Sequence, residues 1–263
     1  HNMPAPLCIQ SCIYEGCQLP IDKGLRIESK YMATLSRSPV ARGMIRTLFV
    51  NKAKAEKGMH RPAGLEPFQC RKLGLIGAGM MGAGIALVAA QRGIQVVLID
   101  RDQAAADKGK QYSEKTLAKQ VDKGRQSREK ADAILACIPP GTDYELLRDA
   151  DMVVEAVFED RAIKAEVTRK LDAVLPPGCV LASNTSALPI SLLAQASDRP
   201  DRFIGLHFFS PADKMPLVEV IRGKQTSDAT LAQALDFVAQ LKKTPIVVNL
   251  SLIHISEPTR PLY

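Results

Sequence analysis

Residues 73–100 read LGLIGAGMMGAGIALVAAQRGIQVVLID, and this stretch decides the fold. It begins with a short apolar run, typical of a buried parallel strand, and continues into residues 81–92, which have the composition of a helix. The β-branched residues 95–99 then predict a second strand, which ends at Asp100. Between the first strand and the helix, three glycines have the spacing G-x-G-x-x-G: Gly77, Gly79 and Gly82. The stretch therefore predicts a strand–turn–helix–strand unit that closes on an acid.

Each of the three glycines has its own physical role in a dinucleotide site. Gly77 permits the tight turn, Gly79 lets the backbone approach a pyrophosphate, and Gly82 lets the helix pack closely on the strand. The first N–H groups of the helix then face the phosphates. Asp100 is placed to accept hydrogen bonds from the adenosine ribose and to repel a 2′-phosphate. Because strands, helix and acid all agree with the glycine spacing, dinucleotide binding is favoured over an unrelated glycine-rich βαβ unit.

The composition indicates a globular chain of one large or two modest domains. With 263 residues and 46% hydrophobic content, the chain can bury a sizeable core. Six cysteines lack C-x-x-C spacing, so no metal site and no disulfide framework are predicted, and reduced thiols in a cytosol are expected. The uncharged residues 74–90 are fewer than the about 20 that a membrane span requires, and no secretory signal is visible. The chain begins at His1 rather than Met, so we expect the natural N-terminus to lie upstream.

The net charge of +7 is located in the N-terminal part of the chain. Residues 1–72 hold 12 Lys or Arg and 5 Asp or Glu, while the remaining residues hold 23 of each. No aromatic side chains alternate with these basic residues in a recognisable motif, so a solvated linker is favoured over a nucleic-acid partner. Five lysines between residues 108 and 123 fit either an acidic ligand, such as the phosphates of coenzyme A, or a solvated helix face.

Helical periodicity begins only after an irregular N-terminal stretch. Residues 1–20 have no clear period, whereas residues 21–50 fit two helices, with Ser38 as an N-cap before a proline at the first helical position. Residues 51–72 form a charged connector with Gly and Pro, typical of a domain boundary. A helical linker segment is therefore expected in front of the dinucleotide unit.

After Asp100 the sequence alternates between strands and helices. Two polar helices are predicted over residues 103–123 and 126–136. The further strands are predicted at 152–157, 180–182, 203–209, 217–221 and 245–249, and the further helices at 161–174, 191–195 and 227–241. This alternation predicts an α/β fold with a Rossmann-like, doubly wound, mostly parallel sheet.

A dehydrogenase requires a base for the hydroxyl proton, and histidine is suited because its pKa is close to neutrality. Among the four histidines, His207 alone is inside the predicted α/β region at a strand end. Glu219, a lone charge within the strand 217–221, is a candidate to orient that imidazole. A satisfied core histidine and an edge-strand carboxylate explain the two residues equally well from pattern alone. Together with Glu159 and Ser186, His207 is expected at the carboxyl ends of the strands, where such sheets bind ligands.

Four motifs in this order resemble the NAD-binding domain of L-3-hydroxyacyl-CoA dehydrogenases. The resemblance spans residues 71–249 and rests on residues 74–100, 153–159, 183–186, and 205–211 through Glu219. It implies His207 as the catalytic base, Glu219 as its partner, and Ser186 as a hydrogen-bond partner of the substrate oxygen. The NAD contacts that it implies are Gly77, Gly79, Met81, Gly82, Asp100, Val157, Glu159, Lys164, Ser186 and Ser210. Thr116 and Lys123 match coenzyme A contacts of the family.

Residues 1–70 resemble the segment that precedes this domain in multifunctional fatty-acid oxidation proteins. Residues 14–16 and 44–49 carry the likeness. In those proteins an enoyl-CoA hydratase/isomerase domain comes first, and its helical tail crosses to the dehydrogenase. The resemblance implies that residues 1–70 are the end of a hydratase-like domain plus a linker, and that the hydratase core lies outside this chain.

The C-terminal residues depart from the family pattern. Leu250–Arg260, LSLIHISEPTR, resembles the conceptual translation of a sequencing-library adapter, so residues 250–263 are expected to be a non-native tail. The family continues after Asn249 with a helical domain that closes over the substrate. We therefore expect the chain itself to bind NAD but to turn over poorly.

The resemblance implies a bacterial, cytoplasmic enzyme of fatty-acid β-oxidation that oxidises (3S)-3-hydroxyacyl-CoA to 3-oxoacyl-CoA with NAD. It also implies a thiolase subunit as a partner in a β-oxidation complex. Two alternatives are a non-catalytic NAD-binding or interaction module and a stand-alone 3-hydroxybutyryl-CoA dehydrogenase. The presence of both His207 and Glu219 argues against the first, and the hydratase-like residues 1–70 argue against the second.

Overall fold

The computed structural model describes residues 3–248, and the chain divides into two compact units. The first unit is His1–Met59, and the second begins at His60. The predicted non-native tail, residues 250–263, lies outside the described residues, as does the end of the last predicted strand.

The first unit is helical and buries almost none of its side chains. Ala55 is its one buried apolar residue among those that the structure describes, whereas Leu7, Ile13 and Phe49 are all more than half exposed. A helix also occupies residues 5–16, where no period was evident, and its Glu15 accepts a 2.5 Å hydrogen bond from the Tyr31 hydroxyl. The elements are α1 (Ala5–Gly16), α2 (Ile21–Ser36), α3 (Pro39–Ile45), a π-helical segment (Arg46–Asn51) and α4 (Lys52–Glu56).

The second unit alternates strands and helices. Its strands are β1 (Lys72–Ile76), β2 (Gln95–Ile99), β3 (Pro140–Gly141), β4 (Met152–Glu155), β5 (Val180–Ser183), β6 (Phe203–Phe208), β7 (Leu217–Ile221) and β8 (Thr244–Val248). Its helices are α5 (Met80–Ala90), α6 (Gln103–Asp122), α7 (Arg128–Ala136), α8 (Arg161–Asp172), α9 (Ile190–Leu193) and α10 (Asp228–Gln240). The two-residue strand β3 was not indicated by periodicity, because a strand this short has no period.

The eight strands form one sheet in the order β3-β2-β1-β4-β5-β6-β7-β8. All neighbouring strands are parallel except β6 and β7. The chain order reverses between β1 and β4, and this switch point is where open α/β sheets bind ligands. The prediction of a doubly wound, mostly parallel Rossmann-like sheet is confirmed.

The sheet is buried on both faces. One cluster of apolar side chains packs α5 and α10 against one face of the sheet, and a second lies on the opposite face against α8 and α9. Helix α5 is buried over nearly its whole length, from Gly82 to Ala90, which explains why residues 82–90 carry no charge. Within residues 3–248, no helix combines the length and apolarity that a membrane crossing requires.

The segment in front of β1 belongs to the second unit. Arg61 forms a two-pronged ion pair with Asp236 of α10, at 2.7 and 2.9 Å, and Asp236 also accepts the Phe68 amide. The backbone of Cys70 exchanges two hydrogen bonds with the Gln240 side chain. The boundary between the two units, between residues 59 and 60, falls within the charged connector 51–72.

Candidate active site

The glycine turn after β1 leaves no room for side chains at two of its positions. Gly77 has a φ of +97°, and a Cβ there would be 2.6 Å from the carbonyl oxygen of Ala156. A Cβ on Gly82 would be 1.8 Å from the carbonyl oxygen of Gly77. These contacts bring the turn against both the residues after β4 and the start of α5. The turn is therefore fixed at the switch point of the sheet.

The N-terminus of α5 is open to a ligand. Gly79 is the N-cap, no side chain caps the helix, and a Cβ on Gly79 would meet nothing within 4 Å. Neighbouring Met80 is 65% exposed. The uncapped helical amides and the free space beside Gly79 fit the pyrophosphate of a dinucleotide.

Asp100 organises the same turn from the end of β2. One carboxylate oxygen accepts the Ala78 amide at 2.6 Å, and the other accepts the Arg101 amide at 2.7 Å. The Arg101 side chain pairs with Asp102 instead of with Asp100. Asp100 remains partly exposed, so its further lone pairs fit ribose hydroxyls while its charge opposes a 2′-phosphate.

His207 and Glu219 face each other across the antiparallel strands β6 and β7. Nδ1 of His207 lies 2.8 Å from Oε2 of Glu219, and the two side chains are 17% and 11% exposed. Phe209 packs against the imidazole with ring centroids 4.8 Å apart. Because Glu219 engages Nδ1, Nε2 is the nitrogen left for a substrate.

Ser186 is presented by a turn that follows β5. It is exposed, and Glu159 holds the turn by accepting the Ser186 and Ala187 amides at 2.8 and 3.0 Å and the Thr185 hydroxyl at 2.5 Å. Asn184, next to Thr185, accepts the backbone amide of Phe208, the residue after His207. The turn is thereby tied to the end of β6, so Ser186 and His207 lie at neighbouring strand ends.

The carboxylate of Glu159 contacts a buried ion pair. Lys164, 1% exposed, contacts Glu155 Oε1 at 2.7 Å and Glu159 Oε2 at 3.3 Å, so its ammonium is enclosed by protein. Burial raises the pKa of Glu159, but hydrogen bonds from Thr185 and the Ala187 amide, with the charge of Lys164, outweigh burial and hold that pKa below its usual value. Glu155 and Thr185 were not among the predicted site residues. A lone acid and lysine nine positions apart give no sequence signal of their pairing.

The remaining predicted contacts lie around this edge. Met81 packs against the core, the Val157 amide donates to Glu155, and Ser210 is exposed after β6. Thr116 is half-buried on α6, one turn from Tyr112, and Lys123 is exposed directly after that helix. The link of these two residues to coenzyme A stays a prediction. No group of three metal-ligating side chains occurs within residues 3–248.

Side chains from outside the loop hold the connection between β6 and β7 in place. The buried Lys243 ammonium donates to the carbonyls of Ala212 and Met215, at 2.7 and 2.6 Å, and Tyr112 donates to Asp213 at 3.0 Å. Burial is the main cause that lowers the pKa of Lys243. A Cβ on Gly84 of α5 would lie 3.2 Å from Ala212, so the same loop packs on the dinucleotide helix.

The fold and these contacts define a Rossmann-type dinucleotide-binding domain with a histidine–glutamate pair at its ligand-binding edge. The chain belongs to the family of NAD-binding domains of 3-hydroxyacyl-CoA dehydrogenases, whose model matches residues 72–251. The cofactor of this family domain is NAD, and the open glycine turn fits it. The family and cofactor predictions are confirmed.

Solved structures of related enzymes share this fold. (S)-3-hydroxybutyryl-CoA dehydrogenase PaaH1 from Ralstonia eutropha is 39% identical, with a TM-score of 0.67 over 68% of this chain and 64% of that one. 3-Hydroxybutyryl-CoA dehydrogenase from Escherichia coli K12 is 35% identical, with a TM-score of 0.67 over 68% and 38% of the two chains. The dehydrogenase part of multifunctional enzyme 1 from C. elegans is 28% identical, with a TM-score of 0.63 over 76% and 48%. The chain thus spans no more than 64% of these relatives.

Proposed function

We propose that the parent protein oxidises (3S)-3-hydroxyacyl-CoA to 3-oxoacyl-CoA with NAD, and that His207 is its catalytic base. The observation that carries this proposal is the 2.8 Å contact between His207 Nδ1 and Glu219 Oε2 at the edge that carries the glycine turn. A base for the hydroxyl proton and a dinucleotide site on one edge are the two parts that this reaction requires.

The His–Glu contact sets the state of the imidazole. An ionised Glu219 only accepts hydrogen bonds, so Nδ1 carries the hydrogen and Nε2 carries the lone pair. Nε2 takes the proton of the 3-hydroxyl group as the C3–O bond becomes a carbonyl. NAD, when bound, supplies the acceptor for the hydride that leaves C3. Glu219 then stabilises the imidazolium, and Ser186 donates a hydrogen bond to the substrate oxygen.

A multifunctional β-oxidation enzyme is the proposed context. Supporting it, the first unit exposes large apolar side chains such as Leu25 and Phe49, as expected for a helical tail that a larger domain covers. The likeness to the dehydrogenase part of a multifunctional enzyme also covers more of this chain, 76% against 68%, than the likenesses to the two 3-hydroxybutyryl-CoA dehydrogenases do. The preceding domain is proposed to be an enoyl-CoA hydratase, which would supply the 3-hydroxyacyl-CoA.

A thiolase is the proposed partner, because a thiolase consumes the 3-oxoacyl-CoA product. The proposed compartment is the bacterial cytoplasm. In support, the six cysteines are free thiols, as expected in a reducing compartment.

The 263-residue chain by itself is proposed to bind NAD and to turn over slowly. Ser186 is exposed, and Phe158, beside the switch point, is 77% exposed. Hydride transfer is favoured when water is excluded from the reacting groups, and these side chains are open to water.

Acetoacetyl-CoA reduction tests the proposal. The purified chain, at high concentration because turnover is slow, is mixed with NADH and acetoacetyl-CoA, and NADH absorbance is followed. We expect slow oxidation of NADH that His207→Ala lowers by about 10²–10⁴-fold. His60→Ala, a change of an exposed histidine before β1, is the matched control and should leave the rate unchanged. NADH oxidation at the same rate in the wild type and in His207→Ala would contradict the role of His207 and favour a non-catalytic NAD-binding module instead.

A stand-alone 3-hydroxybutyryl-CoA dehydrogenase is the second candidate. It is favoured by the two relatives that are 39% and 35% identical, both of which are 3-hydroxybutyryl-CoA dehydrogenases. Comparing acetoacetyl-CoA with longer 3-oxoacyl-CoA substrates separates the two: a strong preference for the four-carbon substrate supports this candidate, and activity across chain lengths supports the β-oxidation enzyme.

A further inference from the structure

An ion pair at the end of β4 is sealed inside the protein, directly before the turn that carries Val157 and Glu159. The side chains of Glu155 and Lys164 are 4% and 1% exposed, and Lys164 Nζ lies 2.7 Å from Glu155 Oε1. Glu155 Oε1 also accepts the Val157 amide at 2.8 Å, and Oε2 accepts the Ser183 hydroxyl at 2.7 Å. The pair therefore fixes the backbone on which the turn begins.

The same ammonium reaches the second carboxylate, Glu159. Lys164 Nζ lies 3.3 Å from Glu159 Oε2, while Oε1 of Glu159 accepts the Ser186 amide at 2.8 Å and the Ala187 amide at 3.0 Å. Glu159 thus uses one oxygen toward the buried ion pair and the other toward the turn after β5. Its two oxygens connect the interior of the protein to Ser186.

Stability alone does not explain this arrangement. A buried ion pair loses hydration that its attraction scarcely offsets, and an apolar pair of similar volume is often at least as stable. Lys164 is also the fourth residue of α8, where the helix dipole favours an anion over a cation. Two carboxylates around one ammonium further leave a net negative charge in a largely buried region. The cluster is better explained by the turn that it holds.

We propose that Glu155 and Lys164 are positioning residues for the dehydrogenase reaction, acting on Ser186 through Glu159. This inference rests on the proposed function, because Ser186 is taken there to contact the substrate oxygen. Neither Glu155 nor Lys164 is open to substrate. Lys164 fixes where Glu159 sits, Glu159 fixes the turn of Ser186, and Glu155 fixes Lys164. The hydroxyl of Ser186 is thereby preorganised at the edge that holds His207.

Hydrogen exchange and kinetics together test the proposal. The variants are Lys164→Met, Glu155→Gln and the double variant, in the full 263-residue chain. The double variant leaves no unpaired charge of this pair buried, so it is the one expected to fold without loss of stability. Asp151→Asn is the matched control. Asp151 lies just before β4 and accepts the Arg71 and Lys72 amides at the amino ends of the strands, away from Ser186.

We expect faster exchange of the Ser186 and Ala187 amides in all three variants, measured without cofactor or substrate. The rate constant for acetoacetyl-CoA reduction should fall about tenfold or more, with a smaller change in KM, because a displaced group costs more in the transition state than in binding. Asp151→Asn should change neither exchange at Ser186 nor the rate constant, even where it lowers the melting temperature.

Two results would overturn the proposal. The first is unchanged exchange at Ser186 and Ala187 in Lys164→Met. The second is a double variant that regains both the melting temperature and the rate constant of the wild type, because the pair would then matter only for stability. If the wild-type chain shows no acetoacetyl-CoA reduction at all, the expectation of slow turnover by this chain fails, and the exchange data still decide whether the ion pair holds the Ser186 turn.

Discussion

Glu219 Oε2 lies 2.8 Å from His207 Nδ1, and the two residues are directly opposed in the antiparallel ladder of β6 and β7. The contact depends on the register, because successive side chains on a strand point to opposite faces of the sheet. A slip of one residue would turn Glu219 away from the imidazole. The β6–β7 loop that sets this register is held by Lys243 and Tyr112, so the pair is supported well away from its own side chains.

Glu219→Gln tests whether the charge of Glu219 assists the reaction. Glutamine keeps the size and one acceptor oxygen but does not stabilise the imidazolium. We expect the rate constant for acetoacetyl-CoA reduction to fall by about 10²-fold or more, with unchanged NADH affinity. A variant with wild-type rate would show that Glu219 has no more than a packing role.

Substitution of two glycines of the turn is expected to affect two different properties, stability and NADH binding. Gly82→Ala places a Cβ 1.8 Å from the Gly77 carbonyl oxygen, so it should lower the free energy of unfolding by about 1–3 kcal/mol or more. Gly79→Ala meets no atom within 4 Å, so the fold should be unchanged while NADH binding weakens. Urea unfolding and NADH fluorescence measure the two effects. Equal loss of stability in both variants would contradict this assignment.

Asp100 is expected to select NAD over NADP. Asp100→Asn retains an acceptor for the Ala78 amide but loses the charge that opposes a 2′-phosphate. We expect the wild type to bind NADH more tightly than NADPH by about tenfold or more, and Asp100→Asn to reduce that ratio. Arg101→Ala is the control, because the Arg101 side chain is 87% exposed and pairs with Asp102. Tighter NADPH binding by the wild type would refute the prediction.

The anchoring of residues 60–70 predicts where the second unit can be cut. A chain that begins at Arg71 loses the Arg61–Asp236 ion pair and the two Cys70–Gln240 hydrogen bonds, whereas a chain that begins at His60 keeps them. We expect the melting temperature of the shorter chain to be lower by about 4 °C or more. Thermal unfolding of the two chains is the measurement. Identical melting temperatures would show that residues 60–70 do not stabilise the second unit and would support a boundary at residue 70.

Glu159 should contribute to stability only while it is ionised. Its pKa in the folded protein is held below the ordinary value of 4.5, so its contribution is present above pH 4.5 and is lost as the pH falls through the folded-state pKa. We therefore expect the wild type to be more stable than Glu159→Gln at about pH 7, with a difference that shrinks below pH 4.5. Urea unfolding of both proteins at pH values above and below 4.5 measures this difference in stability. A difference that is independent of pH would argue against an ionised Glu159.

The sequence by itself determined the dinucleotide unit and most of the sheet. The bounds of β2 and β7 agree with the predicted strands to the residue, because apolar and β-branched runs bounded by turn residues specify local backbone conformation. Glycine spacing specified the turn for the same reason, because the positive φ of Gly77 and the close approach of Gly82 to Gly77 are both local in the chain. His207 and Glu219 were predicted as a candidate pair, although nothing in the sequence pattern fixed the register of the two strands that carry them.

Tertiary structure alone decided which polar side chains meet. Lys164 is enclosed between Glu155 and Glu159, a pairing that the sequence pattern did not indicate, and Arg61 reaches Asp236 across 175 positions of sequence. Helix α1 is a further case, since its exposed apolar side chains follow no clear period. Periodicity reports which face of an element is buried, but not which element covers it. The partners of a buried charge are set by the packing of distant strands and helices, where desolvation makes pairing necessary.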